Sequence, residues 1–152
     1  MAELKDRLRT DLTTAIKARD TVRTRTLRSA LTAVSTAEVA GRTSRELSDD
    51  EVIKVLAREA KRRREAADAF DAAGRAEQAS AERAEGDVLD AYLPAQLGDD
   101  ELTAIVAAGI AESGAAGPRA IGQVMKVVTP EIAGRAEGAR VAAEVRRQLG
   151  AQ

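Results

Sequence analysis

Apolar residues recur along this chain every three or four positions, and no stretch alternates as a strand would. The pattern predicts an all-α fold. Leu4, Leu8, Leu12, Ala15 and Ile16 mark a first amphipathic helix. Asp20 is placed to cap a second, whose stripe is Leu27, Ala30, Leu31, Val34 and Ala37 and which Gly41 should end. After a polar link, Ser48-Asp49-Asp50-Glu51 reads as a capping box, with serine and glutamate three residues apart to exchange hydrogen bonds at a helix start. The third helix should run through Val52, Val55, Leu56, Ala60, Ala67 and Phe70 to Gly74, and a fourth should carry Ala79, Val88, Leu89 and Tyr92.

At Tyr92-Leu93-Pro94-Ala95-Gln96-Leu97 the pattern breaks. Proline lacks the N–H that would continue a helix and restricts the residue before it, so the fourth helix should stop here. Shorter elements follow. Gly98-Asp99-Asp100-Glu101 is an acidic helix start, favoured by the positive end of the helix dipole, and Leu102, Ile105, Val106 and Ile110 supply its apolar face before Ser113-Gly114. Gly117-Pro118 should open a helix with Ile121, Val124, Met125 and Val128, ended by Thr129-Pro130. Gly134 to Gly138 leads into a last helix with Val141, Val145 and Leu149. The expected organisation is a bundle of about four helices over residues 1–93 and a small three-helix module over residues 98–152.

Composition removes whole classes of chemistry. With no histidine and no cysteine, the usual zinc sites, thiol nucleophiles, disulfides and imidazole-based triads are excluded. No phosphate-binding glycine-lysine loop or dinucleotide fingerprint occurs, and no catalytic residue, cofactor or metal is expected. The acidic pairs Asp49-Asp50 and Asp99-Asp100 are explained as first-turn residues of helices. No segment has the apolar length of a membrane span or signal peptide, so the expectation is a cytoplasmic protein without membrane contact. The repeated tripeptide Arg-Ala-Glu, at 75–77, 83–85 and 135–137, has no period and reads as composition bias.

A net charge of −1 conceals an uneven distribution. Residues 1–35 carry eight basic and four acidic groups, residues 54–75 seven and four, and residues 76–101 one and eight. The densest positive run is Lys61-Arg62-Arg63-Arg64. Lys54, Arg58, Lys61 and Arg62 fit one helical stripe along which a phosphate backbone could lie; the other reading is a solvated face balanced by Glu65 and Asp68. With Phe70 and Tyr92 the only aromatic residues, no stacking platform for single-stranded bases exists, so RNA would be read by shape and backbone. Arg23 shares a face with Leu27, and Glu59 and Arg63 fall on the stripe of Leu56, Ala60, Ala67 and Phe70, four residues apart and able to pair. Such charges need a partner or a function: either a polar seam between helices or a prepared ligand contact. A competing surface is the apolar set Ile121, Met125 and Val128, which would dock a protein partner if exposed.

Several blocks together resemble the stand-alone YqeY-type family, relatives of the tail domain of the B subunit of tRNA-dependent amidotransferase. They are Lys17-Ala18-Arg19-Asp20 with Thr26-Leu27-Arg28, Lys61 and Arg63 before Phe70 and Gly74-Arg75, Tyr92-Leu93-Pro94 with Gln96-Leu97, and Gly122, Val124-Met125-Lys126 and Gly134-Arg135-Ala136-Glu137-Gly138. Glu137 stands where aspartate is more usual and Ile121 where methionine is common. The resemblance covers nearly the whole chain and implies a helical bundle followed by a three-helix module. It implies a non-catalytic adaptor for tRNA or another structured RNA, with Arg23, Arg28, Lys61, Arg62, Arg63 and Arg135 as candidate contacts. The phosphorylation and amide-transfer chemistry of the relative lies in a separate domain for which this chain has no room. The alternative is a protein interaction module, or an accessory subunit linked to carbon–nitrogen ligase activity with glutamine as amide donor.

Overall fold

The computed structural model describes residues 3–150, and every regular element among them is helical. The chain divides into two compact units between Leu93 and Pro94. The first contains α1 (Glu3–Lys17), α2 (Thr21–Glu38), α3 (Asp49–Ala72) and α4 (Ala76–Asp90). The second contains α5 (Asp99–Ser113), a 3₁₀ turn (Pro118–Ala120), α6 (Ile121–Ile132) and α7 (Gly138–Gln148).

In the first unit, Leu8, Leu27, Val34, Val52, Leu56 and Leu89 form a fully enclosed core, closed at one side by Tyr92. The predicted caps are present. The Asp20 carboxylate accepts the Arg23 N–H, and Ser48 and Glu51 complete the capping box at α3. Arg45 adds a bidentate pair to Glu51, at 2.5 and 2.9 Å. Arg45 and the Ser48 N–H together hold the Glu51 carboxyl down at about 2. A second tether joins the elements: Lys5 contacts Glu38 at 2.5 Å, and the other Glu38 oxygen accepts the Leu47 N–H, fastening the α2–α3 connection.

Four expectations fail here. Ile16 is 46% exposed, because α1 ends beside it at Lys17 and no neighbour among the described residues covers its side. Helix α2 ends at Glu38 rather than Gly41; the end coincides with the residue that Lys5 and Leu47 engage. Helix α4 ends at Asp90, so Tyr92 reaches the core from the turn that follows. Helix α6 runs through Pro130 to Ile132, since burial of Ile132 offsets the backbone bond that the proline removes.

The second unit has its own core of Leu97, Leu102, Val106, Val124, Val128, Ile132, Val141 and Val145. Gly114 closes α5 in the left-handed region, as its position after Ser113 predicts. Gly109 has a different task that periodicity does not reveal. A β-carbon built there would lie 2.3 Å from Val128 Cγ1, so α5 and α6 approach across a bare backbone. Gly109→Ala should therefore destabilise by about 1 kcal/mol net, an overpacking cost of about 1–3 kcal/mol less the roughly 1 kcal/mol by which alanine favours a helix. A urea melt of the variant measures it, and an unchanged or raised midpoint contradicts the close approach.

Candidate nucleic-acid interface

The α3 run separates into surface and scaffold. Lys54, Arg58, Lys61 and Arg62 are all exposed, on successive turns of one face. Arg62 is tied to Glu59 at 3.1 Å, whereas Lys54, Arg58 and Lys61 pair with no carboxylate among the described residues. The expected Glu59–Arg63 pair does not form. A four-residue spacing permits it, but Arg63 turns inward to α4 while Glu59 closes on the neighbour three residues ahead.

Arg63 is the centre of a buried polar seam. Its guanidinium donates to the Glu85 carboxylate and to Ser29 Oγ at 3.2 Å, with Glu82 3.6 Å away, while its Nε is buried without a partner. The other Glu85 oxygen takes Arg25 Nε at 2.6 Å. Arg25 is exposed along its length but bends its head back to this carboxylate. One buried acid thus joins α2, α3 and α4 through two arginines. The polar-seam reading of Arg63 holds, with Glu85 in the place given to Glu59.

Arg23 is half-buried near a second cluster. The Tyr92 hydroxyl donates to the Asp11 carboxylate at 2.5 Å, and the Arg7 guanidinium lies 4.6 Å from the ring centroid. Burial, then the bond to Asp11, pushes the Tyr92 hydroxyl up to about 12 against the opposing charges of Arg23 and Arg7.

Arg135 is engaged by the backbone of its own unit. Its side chain donates to the carbonyls of Ile132 and Glu131 at 3.1 and 2.6 Å, capping the negative end of α6. Its carbonyl accepts the Leu97 N–H at 2.7 Å, and Gln96 reaches the Gly134 carbonyl at 3.3 Å. Arg140 completes the link through the Leu97 carbonyl and Asp99, at 2.8 and 2.7 Å. The Gln96-Leu97 and Gly134-Arg135 blocks, far apart in sequence, are two sides of one turn assembly. Of the apolar set Ile121, Met125 and Val128, Val128 is fully buried, and the half-buried Ile121 and Met125 pack against the same core.

Arg28 is exposed on the outer side of α2. That side also carries Thr21, Thr24, Arg25, Thr32, Ser35 and Thr36, and it has no carboxylate. At its start lies an open hollow of about 570 Å³ lined by Ile16, Arg19, Thr21, Thr24, Arg25 and Arg28. Arg19 holds a left-handed backbone, φ 56°, a conformation that costs a non-glycine residue about 1–2 kcal/mol. Its side chain has no partner among the described residues that would offset this cost. Sequence reasoning placed Arg19 in the family resemblance but not among the candidate contacts; its mark was a long cation directly before a capping aspartate, where glycine or asparagine would turn the chain more cheaply.

Among the described residues, no helix is long and apolar enough to cross a membrane, and no group of three acidic side chains is arranged to hold a metal. What the fold and surface define is an all-helical protein of two units, with unpaired cations on the outside of the first. Residues 5–149 match the family described as Yqey-like protein, and the chain belongs to that family. No curated protein matches it.

Proposed function

We propose that this protein is a non-catalytic helical adaptor that holds structured RNA, tRNA being the class to which its family resemblance points. The stripe Lys54, Arg58 and Lys61 carries this reading: three exposed cations, one turn apart, with no carboxylate partner among the described residues. Phosphates spaced along a folded RNA backbone can engage such a stripe in sequence, and each contact releases counterions. Arg28 adds a further exposed cation on α2, and Arg62 can exchange its surface pair with Glu59 for a phosphate at small cost. Arg63 and Arg135 support the surface from within, holding α3 to α4 and closing α6. Recognition would follow helical shape and backbone spacing, because the two aromatic residues, a half-buried Phe70 and a buried Tyr92, form no stacking platform for bases.

Titration of bulk tRNA across a salt series tests the reading. Three phosphate contacts should give a log–log salt slope of about −3, and reversal of Lys61 and Arg58 to glutamate should weaken binding by at least about tenfold. Circular dichroism of that variant should match the parent, since both positions face solvent. Absence of saturable binding at low salt, or binding indifferent to the reversal, overturns the proposal.

A further inference from the structure

We propose that the hollow between the end of α1 and the start of α2 is a binding site for a phosphomonoester carried by a ligand of mononucleotide size. The inference stands on a different surface from the α3 stripe and does not depend on it. Arg19, Arg25 and Arg28 face one space, and no carboxylate among the described residues lines it. The Arg25 charge is already answered by Glu85, whereas those of Arg19 and Arg28 are unanswered among the described residues. Two unpaired guanidinium groups match a dianionic phosphate in charge and in forked donor geometry. The hydroxyls of Thr21 and Thr24 line the same wall and can donate to the remaining oxygens.

Size and lining argue for an ester rather than bare phosphate. A hollow of about 570 Å³ is in the range of small-molecule sites and far exceeds one phosphate group. Ile16, 46% exposed, is one of the two large apolar side chains left open on the described surface, and it stands at this rim. It offers a flat organic moiety an apolar contact beside the cationic wall. The same phosphomonoester could arrive on a free nucleotide or as the 5′ end of an RNA strand, and both would use the same guanidinium groups.

The test titrates the full chain at low salt with a ribonucleoside 5′-monophosphate, the corresponding nucleoside, inorganic phosphate, and a short RNA with or without a 5′-phosphate. The readout is calorimetry or amide chemical shifts in α2. Saturable binding of the monophosphate, tighter than inorganic phosphate and absent for the nucleoside, is expected. Arg28→Gln should weaken it by about tenfold or more, and so should Arg19→Gly, which removes the guanidinium while relaxing the backbone. Lys61→Gln should leave it unchanged, and Ile16→Ser should weaken the nucleotide without affecting inorganic phosphate. RNA binding that requires the 5′-phosphate and Arg28 supports the site with a strand end as its source. No saturation by any phosphate, or monophosphate binding that survives Arg28→Gln, overturns it; RNA bound equally without its 5′-phosphate shows a free nucleotide as the source when the monophosphate itself saturates the site. Thermal melting that is unchanged for Arg28→Gln and not lowered for Arg19→Gly shows that the loss is at the site and not in the fold.

Discussion

Glu85→Ala is expected to lower the stability of the first unit by about 3 kcal/mol, the largest effect of any single polar substitution in the molecule. Glu85 is 7% exposed and receives hydrogen bonds from both Arg63 and Arg25. Removing it leaves the Arg63 guanidinium, only 15% exposed along its side chain, with Ser29 and a more distant Glu82 as its remaining partners. A charge held away from water without its counter-charge is far costlier than a charge never placed there. Replacing both partners with apolar residues of similar volume, as in Arg63→Met with Glu85→Leu, should therefore recover most of the loss. Urea denaturation followed at 222 nm separates the cases. A loss below about 1 kcal/mol for the single substitution would mean that water already reaches the seam and screens it.

Leu27→Ala should cost about 3 kcal/mol, through lost apolar burial and the cavity left in the first core. Leu27 is fully buried between the neighbours that also enclose Leu8, Leu56 and Leu89. The contrast with Ile16→Ala makes the measurement specific. Both residues were assigned to apolar stripes from their spacing, but Ile16 lies open to solvent, and its truncation should change stability by no more than about 0.5 kcal/mol. Equal losses at the two positions would show that Ile16 is covered in solution.

Helical spacing and local capping chemistry made most of the first unit legible. Asp20, Ser48 and Glu51 act within three residues of the groups they satisfy, so their roles follow from order alone. Long side chains resist such reading. Arg25 and Arg63 reach Glu85 across 60 and 22 residues of chain, and only packing of α2, α3 and α4 brings the three together. Glu59 could satisfy Arg62 or Arg63 at equally good helical spacings, and the tertiary competitor decided between them. The second unit was misread where tertiary demand overrode a local rule. Pro130 should end a helix, yet Ile132 must still reach the core, and an ordinary glycine at 109 proves to be a close contact. Of the proposed RNA contacts, Lys61 and Arg28 were visible as surface cations, whereas the backbone-capping role of Arg135 depends on a turn that sequence spacing does not describe. The block from Lys17 to Arg28 carries part of the family resemblance. Asp20, Thr26 and Leu27 in it have clear structural tasks, and Arg19 and Arg28 do not.

Tyr92 also gives the molecule an optical asymmetry. It is the only tyrosine, the chain has no tryptophan, and the second unit contains no aromatic residue at all. With its hydroxyl bonded to a carboxylate and its ring beneath a guanidinium, Tyr92 emits from one fixed polar environment that opens only when the first unit does. Ultraviolet fluorescence therefore follows that unit's unfolding in isolation, while the backbone signal at 222 nm follows both, so two ordinary spectrometers resolve the halves of this protein without a label.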